Sequence, residues 1–83
     1  MTPARRNTQA RLDALDAVVA SYFAAAGPAF EHARRPIETA VKDARSLLNI
    51  RSETEDYLVP FALMFLEKAE RQFAQAKTLT QIV

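Results

Sequence analysis

His32 is the only histidine in this 83-residue sequence, so it is the only side chain whose ordinary titration falls near neutral pH. It stands beside Glu31 and close to Arg34 and Arg35. A general base needs a proton to take and a nucleophile or water to activate. The sequence offers no cysteine and no glycine-framed serine to supply that partner. Zinc asks for three or four ligands, and His32 with Glu31 or Glu38 falls short of that number. His32 therefore reads as a surface histidine next to Pro36, and the sequence predicts no enzyme, no cofactor and no metal centre.

Arginine supplies the other chemistry. Arg5, Arg6 and Arg11 crowd the start of the chain, and Arg34, Arg35, Lys42, Arg45 and Arg51 follow in the middle. Guanidinium forks match phosphate and carboxylate geometry, which makes Arg5, Arg6, Arg34 and Arg35 the candidates for contact with phosphate or an acidic partner. Against this, Glu31, Glu38 and Asp43 lie among them at helical spacing, as in surface ion pairs such as Glu38 with Lys42. The formal net charge is only +1. Residues 1–52 carry eight basic against five acidic side chains and residues 53–83 three against five, giving +3 and −2. Glu53, Glu55 and Asp56 form a short acidic run, which a helix N-terminus favours without any further role.

These side chains must be carried by helices. Gly27-Pro28 is the clearest break in the pattern. Before it, Leu12, Leu15, Val19, Tyr22, Phe23 and Ala26 recur at steps of three and four, which predicts a helix capped by Asn7 or Thr8, with residues 1–7 left as a flexible basic arm. After it, Phe30, Ala33, Ile37, Ala40, Val41, Ala44, Leu47 and Leu48 mark a second helix whose stripe passes straight through Pro36, where a kink or break is expected. Ser52-Glu53-Thr54-Glu55 has the form of a capping box opening a long third helix, with Pro60 kinking it or shifting its start to Val59. Strong helix formers carry the third helix to about Thr78. The fold class is thus all-α: one domain, residues 8–83, built as an antiparallel, up-down-up bundle of three helices. An apolar signal segment is absent after Arg5 and Arg6, and the longest apolar run, Tyr57 to Leu66, is ten residues, about half of a membrane span. The expectation is a cytoplasmic protein that does not insert in a membrane.

The third helix is richer in apolar residues than one buried face needs. On a helical projection Leu58, Phe61, Ala62, Phe65, Ala69, Phe73 and Ala76 make a core stripe, while Val59, Leu63 and Met64 point well away from it. Uncovered, these side chains forgo about 1.5–3 kcal/mol each and invite association. The leading functional expectation is a non-enzymatic protein–protein interaction module, acting as a homodimer or on another protein through Tyr57, Val59, Leu63 and Met64. The second expectation is a small nucleic-acid-binding accessory protein using the arginines, although Tyr57-Leu58-Val59-Pro60-Phe61 is too apolar to open a recognition helix. A third, suggested by size alone, is a stand-alone inhibitor of a larger protein machine of the kind that mobile elements encode.

Overall fold

A computed structural model describes residues 3–50 and 55–82. Helix α1 (Pro3–Ala26) passes through a 3-10 turn (Pro28–Phe30) into α2 (Glu31–Asn49), and a second 3-10 turn (Glu55–Leu58) leads into α3 (Val59–Ile82). The described residues contain no strand. Successive helices run in opposite directions, so that Arg5 near the start of α1 reaches Leu48 at the end of α2.

The start of α1 differs from the one expected, that of α3 is the Val59 start offered as one of two alternatives, and proline explains both. α1 begins at Pro3, where the missing N–H leaves nothing unbonded. Residues 3–7, part of the expected arm 1–7, are its first turns, and residues 1–2 lie outside the described residues. Thr8 does not cap; its hydroxyl donates back to the Ala4 carbonyl at 2.8 Å, inside the helix. Likewise, α3 starts at Val59 with Pro60 in its first turn, so Pro60 sets the start of the helix instead of kinking its interior. Ser52 and Glu53 of the expected capping box lie outside the described residues. Pro36 neither ends nor divides α2, which runs unbroken through it. The position is exposed and near the start of the helix, so the chief loss is one bond to the His32 carbonyl.

Gly27 ends α1 with φ +93° and ψ 174°, a region that L side chains avoid, while its N–H still donates to the Phe23 carbonyl at 3.1 Å. Pro28 then opens the 3-10 turn.

The core is one continuous cluster. Leu12, Val19 and Phe23 come from α1, and Ile37, Ala40, Val41, Ala44 and Leu48 from α2. α3 adds Ala62, Leu66, Ala69, Phe73 and Ala76. For α1 and α2 these are the expected stripes. For α3 the phase is corrected. The buried line runs Val59, Ala62, Leu66, Ala69, Phe73, Ala76, and Phe61 is exposed where a core position was expected. α2 and α3 pack against each other more extensively than either does on α1. Alanines recur on both buried faces, a pattern that lets two backbones approach closely. Tyr22, Phe23 and Phe73 pack edge-on or tilted at 5.3–6.3 Å between centroids, tying the end of α1 to α3. The result is a rod 48 Å long and 16 Å across.

Candidate interaction surface on helix α3

Around the start of α3 three large apolar side chains stand outside this core, Tyr57 in the preceding 3-10 turn and Phe61 and Met64 on the helix. Tyr57 is 61% exposed, Phe61 52% and Met64 64%. Steps of four and three place them on one stripe, opposite the line from Val59 to Ala76. Leu63 and Phe65 are half-buried on its flanks, packed against the core. Past Met64 the same face continues as Lys68 and Arg71, both exposed. Met64, Phe65, Glu67, Lys68 and Arg71 line a shallow depression of about 230 Å³ there. The surface is therefore apolar near the start of α3 and mixed in charge one to two turns later, where Glu67 stands beside Lys68 and Arg71.

Of the four residues expected to dock a partner, Tyr57 and Met64 are on this surface and Leu63 is at its edge. Val59 is not, and that expectation is corrected: it is only 7% exposed and belongs to the buried line of its own protomer. Phe61 was missed. The signal that locates it is the unbroken alternation of threes and fours from Val59 to Ala76, which excludes position 61 from the core.

The arginines expected to reach phosphate divide into two groups. Arg5 is buried and donates from Nη1 to the main-chain carbonyl of Leu48, so it is withdrawn from any ligand. Arg34 pairs with Glu38 at 2.5 Å one turn along α2, taking the carboxylate expected to pair with Lys42. Arg6 and Arg35 are exposed and form no ion pair among the described residues. Elsewhere, charge ties the helices together. Arg11 on α1 donates to both carboxylate oxygens of Glu70 on α3, and Arg45 on α2 bridges Asp13 at 2.9 Å and Asp16 at 3.5 Å on α1. The hydrogen bond to Glu70 raises the Arg11 guanidinium above its ordinary value despite some desolvation, and the bond to Glu38 does the same for Arg34.

His32 is exposed at one end of an open groove of about 310 Å³ between α2 and α3, shared with Arg35, Asp43, Lys68 and Gln72. Among the described residues no three His, Cys, Asp or Glu side chains converge as metal ligands. Nor is any described helix long and apolar enough to cross a membrane. The structure thus defines a small all-α protein of three helices with an apolar stripe on the outside of the third. Comparison with known proteins found no matching family model, no matching curated protein and no matching solved structure.

Proposed function

We propose that this chain is a non-enzymatic protein–protein interaction module that docks through the outer face of α3. The observation that carries this reading is the stripe Tyr57, Phe61 and Met64, three large side chains on one line, each more than half exposed. Isolated exposed apolar residues are ordinary, but a line of aromatic and methionine side chains rimmed by charged groups has the composition of an interface centre. Phe61 and Met64 act as anchors that fill a partner's surface, Tyr57 adds area with a polar tip at the rim, and Lys68 and Arg71 set orientation through charge.

Hydroxyl-radical footprinting tests the reading without naming the partner. The purified chain at high dilution is compared with the same chain added to extract of its own host cells. Oxidation of Tyr57, Phe61 and Met64 should fall severalfold in the extract, while Val18 and Leu79, which are similarly exposed, keep their reactivity. Equal reactivity at all five positions in both samples overturns it.

A further inference from the structure

We infer that residues 3–11, the first turns of α1, are a strap that Arg5 latches over the end of α2 and that opens while the rest of the bundle stays folded. Apolar anchors are unevenly placed along α1. Leu12, Val19 and Phe23 enter the core, and Leu15, Tyr22 and Ala26 pack against it. Residues 3–11 contain no large apolar side chain, and the two of them that are buried, Arg5 and Thr8, are polar. The Thr8 hydroxyl donates to the Ala4 carbonyl within α1 itself. The bonds that reach across from this segment are the Arg5 guanidinium on the Leu48 carbonyl and the exposed Arg11–Glu70 pair.

Lifting the later part of α1 returns Leu12, Val19 and Phe23 to water and breaks up the core, so that part leaves only when the whole bundle unfolds. Lifting residues 3–11 returns short side chains and arginine stems instead. The charged groups regain their hydration and the freed turns regain backbone entropy. An ion pair as exposed as Arg11–Glu70 is weakened by solvent, which leaves the bond from Arg5 to the end of α2 as the main hold. Leu48 is only 5% exposed with the strap closed, and opening uncovers it.

Introduced thiols are unique because the chain has no cysteine, so each reports opening at one place. Val41 and Leu48 lie on α2 and are each 5% exposed. In native buffer an aromatic disulfide reagent should label Leu48→Cys at least tenfold faster than Val41→Cys. Low urea should barely change the rate at position 48 and should speed position 41 steeply, because a local opening exposes little surface and global unfolding exposes much. Adding Arg5→Met to Leu48→Cys should speed labelling at least tenfold, whereas Arg6→Met should leave it within about twofold. A cysteine at position 48 itself removes some packing, so hydrogen exchange on the unsubstituted chain supplies a second reading. Amides of residues 8–11 should exchange at least tenfold faster than those of residues 19–23. Equal exchange in the two stretches, or equal labelling at positions 41 and 48 with the same urea dependence, overturns the strap, since α1 then leaves only as the bundle unfolds. Equal effects of Arg5→Met and Arg6→Met overturn the latch.

Discussion

Arg5, in the first turn of α1, lies buried and donates to the main-chain carbonyl of Leu48 in the last turn of α2, 43 residues later. The last carbonyls of a helix have no partner of their own and carry the negative end of its dipole, so a guanidinium there satisfies an acceptor and meets favourable charge. Arg5 also shares a face with Thr8 and Leu12, which draws the first turn of α1 down onto α2.

Replacing Arg5 by methionine keeps most of the stem and removes the charged donor. Hydrogen bonds to charged groups contribute about 1.5–3 kcal/mol, so the unfolding free energy read from urea titration should fall by about that much, and the midpoint with it. Arg6→Met is the control: an exposed neighbour whose loss should stay within about 0.5 kcal/mol. Equal midpoints for the two variants would mean that the Arg5 contact contributes nothing to stability.

The phase of α3 gives a second prediction. Leu66 is fully buried and Phe61 is on the surface. Leu66→Ala should cost about 2–5 kcal/mol, with the larger values where the cavity does not collapse. Phe61→Ser should change stability of the dilute protomer by no more than about 0.5 kcal/mol. The opposite ranking in denaturant would place Phe61 in the core and remove it from the docking face.

That pair of residues also shows what was legible before the structure. The stripes of α1 and α2 could be read directly because their large apolar residues all fall on the buried side. In α3 large apolar residues occur on both sides, and an average direction over the phenylalanines pulled the core toward Phe61 and away from Leu66. The small residues held the answer: Ala62, Ala69 and Ala76 mark the side where α2 lies close. Tyr57 and Met64 were legible as surface positions, but Val59 was not, because its burial depends on the helix starting there. Arg5 was illegible for a different reason. A basic residue near a chain terminus looks solvated until the end of another helix is found beside it.

The Arg11–Glu70 pair links α1 to α3 with side chains 47% and 33% exposed. Solvent screening limits such a pair to about 0.2–1 kcal/mol. Because the bond to Glu70 raises the Arg11 pKa on folding, its contribution is complete below the unfolded value and is lost only as pH climbs through the folded one, in strong alkali. Arg11→Gln should therefore lower the thermal midpoint by the same small step at pH 7 and pH 9, and by less in about 1 M salt. A step that grows or shrinks between those two pH values would mean that another group titrates with the pair.

Gly27 offers a prediction that separates backbone strain from packing. Its φ of +93° with ψ of 174° falls where essentially only glycine is found, yet a Cβ built there meets nothing within 4 Å. Any loss in Gly27→Ala must therefore come from the backbone, and about 1–3 kcal/mol is expected. Gly27→Asn should recover little, because asparagine tolerates the left-handed helical region and not this extended one. Inverting the stereocentre reverses the argument: for D-alanine the same torsions mirror an ordinary extended conformation. An 83-residue chain lies within reach of chemical ligation, and D-alanine at position 27 should stabilise the fold by about 0.4–1 kcal/mol over glycine, since it restricts the unfolded chain without straining the native turn. Were L- and D-alanine to shift the denaturation midpoint equally, the turn between α1 and α2 would not hold the positive φ that ends the first helix.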